Sequence, residues 1–263
     1  MKIARFEHRG SISFGLVSGG MVTPLSEKSV YQGAFNTGTG VVPLSEVRLL
    51  APSVPSKIVA VGLNYTDHAK ELGMPVPKNP ILFIKPSSSL LDPGGAIIHP
   101  PSVKQLDFEA ELAFDIKKKC KDIRASDAEG FILGYTCFND VTARDQQKED
   151  IQWTRAKSYD TFSPLGPWLV TPDELDPDNV KVQALVNGRI VQDSSTSLFI
   201  FKIGALLEFI SGIMTLYPGD VVTTGTPPGV GPLKQGDTVT IRVEKIGDLT
   251  NSVRSPDPAD RTI

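Results

Sequence analysis

Four acidic residues alternate with apolar ones in the segment DFEAELAFDI, which covers residues 107–116. Alternate residues of a β-strand share a face, so this segment predicts one apolar face and one face of carboxylates. Glu109 and Glu111 are neighbours on the acidic face, and their carboxylates can converge on one point. Asp140 ends an apolar segment in YTCFNDVTARD and is the best candidate for a third oxygen donor. Hard divalent cations such as Mg²⁺ prefer oxygen ligands, which makes a metal site one interpretation.

The same alternation is typical of an exposed strand, and spacing alone favours that interpretation over a metal site. Neighbouring carboxylates repel one another, and the repulsion is stronger where water is excluded. The acidic face is therefore either open to solvent or neutralised by something cationic. We expect Asp107 and Asp115 to lie at the solvated ends of this face, as flanking charges.

His68 and Glu71 form a second candidate pair, in the segment NYTDHAKEL. Thr66 or Asp67 can cap a short helix here, predicted over residues 66–72, and positions i and i+3 face the same side of a helix. A carboxylate beside an imidazole fixes its tautomer and raises its basicity, which suits a general base for water. On spacing alone, an exposed helical pair without a catalytic role remains the favoured alternative.

Three cationic residues lie where they could bind an anionic substrate. Lys85 ends an apolar segment, Arg144 follows the FND turn, and Lys157 lies among aromatic and turn residues. The loop TTGTPPGVGPL, residues 223–233, offers Thr226 and backbone N–H groups to a ligand, but it lacks the lysine and spacing of a phosphate-binding loop. On local grounds, surface charge explains the three cations equally well, and a tight turn is the favoured interpretation of the loop.

These candidates need a scaffold, and the chain predicts many strands with few helices. The predicted strands cover residues 57–65, 81–85, 107–116, 131–138, 180–186, 189–193, 220–225 and 237–244. Turns are predicted at Ser18-Gly19-Gly20, Asn187-Gly188 and Gly247-Asp248. Helices are predicted over residues 66–72, 125–129 and 197–214. This pattern is typical of a β-rich α+β fold rather than of regular βαβ units.

The composition of the 263 residues excludes several classes of function. The chain is 40% hydrophobic and 22% charged, with a net charge of −3 and no basic block, so no nucleic-acid partner is expected. Lys202 and Glu208 interrupt the apolar segment 198–217, which favours a buried helix over a membrane span. Cys120 and Cys137 lack metal-binding spacing, and the amino-terminal segment lacks the apolar core of a signal peptide. We therefore expect a cytoplasmic protein without a membrane partner.

Six segments, taken together and in order, resemble the fumarylacetoacetate hydrolase family: GLNYTDHAKEL, FIKPSSSL, DFEAELAF, GYTCFNDVTARDQQ, WTRAKSYDTFSPLGPW and PGDVVTTGTPPGVG. The resemblance covers roughly residues 55–255. It implies the mixed β-roll of layered sheets with few helices, usually assembled as a homodimer. The first fifty residues resemble the small β domain that precedes the catalytic domain in many bacterial members. We expect domains at residues 1–52 and 53–263.

The resemblance also implies roles for the candidate residues. It assigns the ligation of Mg²⁺ or Mn²⁺ to Glu109, Glu111 and Asp140, and a catalytic dyad on a short helical lid to His68 and Glu71. Lys157 matches a lysine that stabilises developing negative charge. The substrate-binding candidates are Arg144, Gln147 and Thr226, which match residues of the family's pocket, together with Lys85.

One position departs from the animal hydrolases of the family, which carry a further acidic metal ligand seven residues before the histidine. Val61 stands at that offset, as in the smaller bacterial and mitochondrial branch. That branch includes acylpyruvate hydrolases, oxaloacetate decarboxylases and 2-hydroxyhepta-2,4-diene-1,7-dioate isomerases of aromatic-compound catabolism. The resemblance implies a metal-dependent enzyme that cleaves or isomerises 2-oxo or 2,4-dioxo acids through an enolate. Oxaloacetate decarboxylation is one alternative, and a non-catalytic β-rich binding module is the alternative of another class.

Overall fold

The computed structural model describes residues 1–33, 35, 40–71, 73 and 75–257. The strands in this part of the chain are β1 (Lys2–His8), β2 (Ser11–Ser18), β3 (Met21–Leu25), β4 (Val42–Pro43), β5 (Arg48–Leu50), β6 (Ile58–Gly62), β7 (Ile81–Lys85), β8 (Leu90–Leu91), β9 (Ala96–Ile98), β10 (Leu106–Phe108), β11 (Ala110–Ile116), β12 (Ile132–Asn139), β13 (Thr142–Ala143), β14 (Ser163–Val170), β15 (Lys181–Val186), β16 (Arg189–Ser195), β17 (Val221–Thr223), β18 (Gly231–Leu233), β19 (Thr238–Val243) and β20 (Gly247–Arg254). The α-helices in the same residues are α1 (Glu27–Gln32), α2 (Thr66–Glu71), α3 (Arg144–Glu149), α4 (Thr154–Lys157) and α5 (Ile203–Ile213). The predicted β-rich α+β fold is confirmed.

Twelve of these strands form one mixed sheet. Its order is β4-β3-β2-β1-β14-β12-β11-β17-β6-β7, with β5 paired to β1 and β8 paired to β14. β11 lies between β12 and β17, and all seven of its residues are buried. A strand buried on both faces requires cover from other layers on each side of the sheet. The acids that β11 carries are therefore inside the protein.

Two smaller sheets complete the scaffold, with the orders β16-β15-β19-β20-β9 and β13-β10-β18. One apolar core joins the large sheet to the five-stranded sheet, because Leu112 of β11 belongs to the same cluster as Val182 of β15 and Ile241 of β19. Leu206 of α5 belongs to this cluster as well. Sheets packed face to face around a shared core account for the layered architecture that the family resemblance implies.

The amino-terminal strands are continuous with the largest sheet. β1 pairs with β14, where Lys2 lies opposite Val170, and with β2 over its whole length. Residues 49–57, which contain the boundary between the two predicted domains, are packed against the protein, since Ala51 and Ser53 are fully buried. The division into domains at residues 1–52 and 53–263 stays a prediction.

Most of the predicted strands are confirmed to within three residues at each end. β7 covers the predicted segment 81–85, and β6, β12, β15, β16, β17 and β19 overlap theirs. Asn187 and Gly188 join β15 to β16 with φ angles of 51° and 78°, which fit the mirror-image turn that an Asn-Gly pair favours. Gly19 and Gly20, also at positive φ, join β2 to β3 as predicted.

The prediction of a single strand over residues 107–116 is wrong, because the strand is interrupted at Glu109. Residues before the break form β10 in the three-stranded sheet, and residues after it form β11 in the twelve-stranded sheet. The predicted helix over 197–214 is also too long, since α5 begins only at Ile203. The helix predicted over 125–129 is a 3₁₀ helix, Ala125–Phe131. α2 ends at Glu71, and Leu72 lies outside the described residues.

Several elements are missed by the sequence pattern, namely β14, β20, α3 and α4. β14 contains Pro164 and Pro167, and proline argues against a strand interior. The turn predicted at Gly247-Asp248 is instead the beginning of β20, which follows a turn at residues 244–246. The apolar segment 198–217 contains α5, and within the described ranges no helix has the length and apolar character needed to cross a membrane.

Candidate active site

The break between β10 and β11 places Glu109 and Glu111 beside the end of β12. β11 and β12 are antiparallel neighbours, so the start of one lies next to the end of the other, where Asp140 follows. The backbone fixes this corner: the N–H of Glu109 donates to Asn139 Oδ1 at 3.0 Å, and the N–H of Asp140 donates to the carbonyl of Glu109 at 2.9 Å. The carboxylates of Glu109, Glu111 and Asp140 therefore converge, with one oxygen of each within 4.8 Å of the others.

This carboxylate cluster fits a divalent cation. All three side chains are buried. Burial, and then the charges of Asp140 and Glu109, raise the pKa of Glu111 well above its ordinary value. Like charges removed from water are costly unless a cation or a proton neutralises them. The donor set consists of the hard oxygen atoms that Mg²⁺ and Mn²⁺ prefer, so the residues present suit the metal that the family resemblance implies.

Two buried lysines already neutralise part of the negative charge. Lys157 Nζ lies 2.9 Å from Glu109 Oε2 and 2.6 Å from Asp140 Oδ2. Lys85 Nζ lies 2.5 Å from the other oxygen of Asp140 and donates to the carbonyl of Phe162 at 2.8 Å. Burial by itself would lower the pKa of Lys157, but Asp140 and Glu109 outweigh it and the pKa is raised. Lys157 therefore keeps its positive charge.

Arg144 is the third cation of the site. Its Nε lies 2.8 Å from Asp107 Oδ2, and its Nη2 lies 2.5 Å from Glu109 Oε1. Its Nη1 donates to Gln147 Oε1 at 2.5 Å. Burial by itself would raise the pKa of Glu109, but Lys157 and then Arg144 outweigh it and hold that pKa at about 2. Glu109 is thus ionised at neutral pH, with a cation on each of its oxygens.

The expectation that Asp107 and Asp115 lie at solvated strand ends is wrong. Asp107 is buried, and Gln105 Nε2 donates to it at 3.0 Å in addition to its ion pair with Arg144. Asp115 is buried at the opposite end of β11, where it accepts a hydrogen bond from the Ser53 hydroxyl. Other parts of the chain cover both positions, which the alternation within one segment cannot reveal.

His68 and Glu71 face each other on α2, in agreement with their i and i+3 spacing. His68 Nδ1 lies 2.8 Å from Glu71 Oε2, and the N–H of Gly229 donates to Glu71 Oε1 at 3.2 Å. With its proton on Nδ1, the imidazole donates to this carboxylate and leaves Nε2 able to accept a proton. The His68 side chain is 8% exposed and that of Glu71 is 41% exposed, so the imidazole is turned inward and the carboxylate is near the surface.

The Gly/Pro-rich loop after β17 closes one side of the carboxylate cluster. The N–H of Gly225 donates to Glu111 Oε2 at 2.9 Å. Gly225 has a φ of 87°, and a Cβ there would lie 2.9 Å from Asn64 Cβ, so this close approach requires glycine. Thr226 is buried next to it, and its hydroxyl oxygen accepts a hydrogen bond from Gln192 Nε2 at 2.9 Å. The loop therefore holds one of the three carboxylates.

These side chains line one cavity of about 450 Å³. Nine of the ten candidate site residues are on its wall: His68, Glu71, Glu109, Glu111, Asp140, Arg144, Gln147, Lys157 and Thr226. The tenth, Lys85, is fully buried against Asp140 and is not among the described residues that line the cavity. The volume is sufficient for a small organic acid.

Part of the cavity wall is apolar, and reasoning from the sequence misses it. The rings of Phe83 and Trp153 pack edge to face with centroids 5.3 Å apart, and they line the cavity together with Val61 and Ile81. The Trp153 ring lies so close to Gly62 that a Cβ at this glycine would be 2.6 Å from it. Gly62, Phe83 and Trp153 lie in three of the motifs that carry the family resemblance, but no spacing within those motifs predicts the contact.

Two family models match the chain. The model described as fumarylacetoacetate (FAA) hydrolase C-terminal matches residues 57–254, and the model described as Rv2993c-like N-terminal matches residues 1–52. The chain belongs to the fumarylacetoacetate hydrolase family. The resemblance found in the six motifs is confirmed, and with it the prediction that the chain is an enzyme.

Relatives in the fumarylacetoacetate hydrolase family match most of the chain. The rat mitochondrial oxaloacetate tautomerase Fahd2a is 46% identical over 86% of this chain and 75% of its own length. The structure of 2-hydroxyhepta-2,4-diene-1,7-dioate isomerase from Mycobacterium marinum is 43% identical, with a TM-score of 0.89 over 97% of this chain and 98% of that one. The structure of maleylpyruvate hydrolase from Sphingobium sp. SYK-6, in complex with manganese(II) and pyruvate, is 28% identical, with a TM-score of 0.82 over 98% of this chain and 100% of that one.

Proposed function

We propose that this chain is a divalent-metal-dependent enzyme that cleaves or isomerises 2-oxo and 2,4-dioxo carboxylic acids through an enolate. The observation that supports this most is that a buried cluster of three carboxylates and a histidine–carboxylate dyad line the same cavity. The cluster suits a cation that stabilises developing negative charge, and the dyad suits proton transfer. A binding module would need neither group.

Glu109, Glu111 and Asp140 would hold Mg²⁺ or Mn²⁺. When bound, such an ion supplies Lewis-acid polarisation of a keto oxygen and orients the substrate. Lys157, which stays charged between Glu109 and Asp140, stabilises the negative charge that develops on the substrate. We now propose that Lys85 positions Asp140 rather than binding substrate, because its ammonium group is fully buried on that carboxylate.

His68 and Glu71 carry the proton in this proposal. Glu71 accepts from Nδ1 of the imidazole and stabilises the imidazolium that forms when Nε2 takes up a proton. In hydrolysis that proton comes from the attacking water, and in isomerisation it comes from a carbon of the substrate. Decarboxylation needs no attacking water, so it depends less on the dyad.

Arg144 and Thr226 are the proposed ligands of the substrate carboxylate. A guanidinium group has five N–H donors, and the three hydrogen bonds of Arg144 leave two of them for an anion. The Thr226 oxygen accepts a hydrogen bond from Gln192, which leaves the hydroxyl hydrogen for a second partner. Gln147 joins this group through its bond to Arg144.

The apolar part of the wall supports an acid with a carbon chain beyond its second keto group. Phe83 and Trp153 would contact that chain, which favours 2,4-dioxo or unsaturated dioxo acids over compact oxaloacetate. Oxaloacetate is the second candidate substrate, because the 46% identical rat relative is named an oxaloacetate tautomerase. Tautomerisation and decarboxylation of oxaloacetate both proceed through an enol or enolate, so the same groups would serve either reaction.

A panel of acylpyruvates, 2-hydroxyhepta-2,4-diene-1,7-dioate and oxaloacetate, each with Mg²⁺ or Mn²⁺, tests this function. We expect metal-dependent turnover, with the highest kcat/KM for a substrate with an extended chain. Trp153→Ala should lower kcat/KM for the longer acylpyruvates by about tenfold to 100-fold and leave oxaloacetate almost unchanged, because apolar contacts to the chain are lost. A protein that holds no stoichiometric metal and turns over no member of the panel would be a binding module.

The family resemblance also underlies two proposals about the state of the enzyme. We propose that it is a homodimer, and that it works in the cytoplasm. Sedimentation velocity of the purified protein measures the first, with a mass near twice the 28.4 kDa of one chain as the expected result. Fractionation of cells that express the untagged chain measures the second.

A further inference from the structure

Gln192 is a buried residue on a strand that is otherwise exposed or half-buried. The strand is β16, at the edge of the five-stranded sheet. Its pairing with β15 steps from Gln192–Ala184 to Ile190–Leu185, so Val191 is the extra residue of a β-bulge. Bulges turn side chains in new directions and are frequent beside active sites. This bulge accompanies the burial of Gln192.

The amide of Gln192 connects the carboxylate cluster to the Gly/Pro-rich loop. Its Oε1 accepts from the N–H of Ala110, the residue between the two glutamates of the cluster, at 3.0 Å. Its Nε2 donates to Thr226 Oγ1 at 2.9 Å and to the carbonyl of Pro227 at 2.7 Å. One buried side chain therefore binds the start of β11 and two residues of the loop. Sequence reasoning misses it, because a glutamine in the segment RIVQD gives no functional signal.

The hydrogen bond from Gln192 determines what Thr226 can offer to a ligand. A hydroxyl group has one donor hydrogen and two acceptor positions, whereas an amide NH₂ group only donates. Because Gln192 Nε2 donates to the Thr226 oxygen, the hydroxyl hydrogen is not used in that bond. Thr226 lines the cavity, so this hydrogen suits an anionic oxygen of a bound acid.

We propose that Gln192 is a positioning residue that fixes Thr226 as a hydrogen-bond donor to the carboxylate of the oxo-acid substrate. The proposal rests on the proposed function, since it takes that carboxylate as the partner of Thr226. Gln192 acts through Thr226, and its bond to Ala110 keeps the loop in register with the carboxylate cluster. The loop also carries Gly229, whose N–H binds Glu71, so its position matters to the dyad as well.

Gln192→Met tests this role, because it fills the space of glutamine but cannot donate to Thr226. We expect KM for the oxo acid, and the Kd of pyruvate measured by calorimetry on the Mg²⁺-loaded protein, to rise about tenfold to 100-fold, as for the loss of one hydrogen bond to a charged group. The kcat should change much less. Asp193→Asn, on the exposed neighbour in the same strand, is the control and should change neither constant. Should Gln192→Met not fold, Gln192→Glu takes its place, since it keeps an acceptor for the Ala110 N–H but lacks the amide donor.

A double-mutant cycle with Thr226→Val separates positioning from a general structural effect. If Gln192 acts through the hydroxyl group, Gln192→Met should add little to the KM of the Thr226→Val enzyme. An equal rise of KM in both backgrounds, or a loss confined to kcat, overturns the proposal for Gln192 while the proposed function stands. If the wild-type protein loaded with Mg²⁺ neither binds pyruvate nor turns over any oxo acid, the proposed function itself fails.

Discussion

The two ends of β11 carry buried acids in different surroundings. At the end next to β10, four carboxylates meet three cationic side chains: Asp107, Glu109, Glu111 and Asp140 with Lys85, Arg144 and Lys157. At the other end, the charge of Asp220 acts on Asp115, and Asp220 forms a salt bridge with Lys57. Among these described groups, each end thus has one acid more than it has cations. Burial, chiefly, raises the pKa of the acid that has no salt bridge within the described residues, which is Glu111 at the first end and Asp115 at the second.

The difference between the two ends is access. Glu111 lines the cavity of about 450 Å³, which a cation and a substrate can enter. Asp115 is fully buried, does not line that cavity and accepts a hydrogen bond from the Ser53 hydroxyl. Asp220 beside it is fully buried and paired with Lys57. The excess charge can therefore be neutralised by a metal ion at the open end, but only by a proton at the sealed end.

The largest expected difference follows from the same acid-to-amide change at each end. Glu111→Gln should abolish stoichiometric binding of Mg²⁺ or Mn²⁺ and with it turnover. Loss of a residue that hydrogen-bonds a metal ligand lowers metal affinity or activity roughly 10- to 100-fold, and loss of the ligand itself costs more. Asp115→Asn should keep both metal and activity. Metal analysis and calorimetric titration with Mg²⁺ measure the first effect, and steady-state kinetics measure the second. Metal retained by Glu111→Gln, or lost from Asp115→Asn, would mean that the two ends of β11 do not differ in their access to a cation.

A smaller loss is expected from the dyad at the open end. His68→Ala or Glu71→Gln should lower turnover by about 100- to 10,000-fold, the usual contribution of general acid–base catalysis, with the metal content unchanged. Hydrolysis should lose more than decarboxylation, which needs no attacking water. His99→Ala is the control, because His99 does not line the cavity that contains the dyad. If metal and activity were lost in parallel, the dyad would belong to the metal site and not to proton transfer.

The sequence predicts which residues form the open end of β11 better than it predicts how deeply they are buried and what contacts them. The spacing of His68 and Glu71 predicts their contact, and the motifs identify the three carboxylates through the family resemblance. The alternation in residues 107–116 cannot reveal the break at Glu109, because two short strands alternate in the same way as one long strand. The burial of Asp107 and Asp115 depends on segments far away in the chain, such as those that supply Arg144 and Ser53, and no local pattern encodes it.

The scaffold shows the same limit. The Asn-Gly turn and the β-branched strands follow from local chemistry, so β7, β15 and β16 are predicted well. β14 contains Pro164 and Pro167 and still pairs with β1 and β12, because its place between these strands overrides the local preference. Gln192 and Trp153 are missed for a related reason, since each contributes through contacts with distant segments.

The smallest expected effect concerns stability at the sealed end. Burial raises the pKa of Asp115 in the folded protein above that in the unfolded chain, and the nearby charge of Asp220 adds to this. Below the ordinary carboxyl range both states hold the proton, so the group contributes nothing. At higher pH the unfolded chain loses the proton while the folded chain keeps it. The free energy of unfolding therefore falls as the pH rises, until the pH passes the raised pKa.

Asp115→Asn removes this proton exchange and keeps an oxygen that can accept from the Ser53 hydroxyl. We expect its Tm to exceed that of the wild type at pH 8, by about 2 to 4 °C for each kcal/mol recovered, and the difference to disappear near pH 4. Asp193→Asn, an exposed control, should show no such pH dependence. A variant that is equally destabilised at both pH values would mean that Asp115 is charged in the folded protein. The charge at the sealed end would then not be neutralised by a proton, and the distinction between the two ends of β11 would fail.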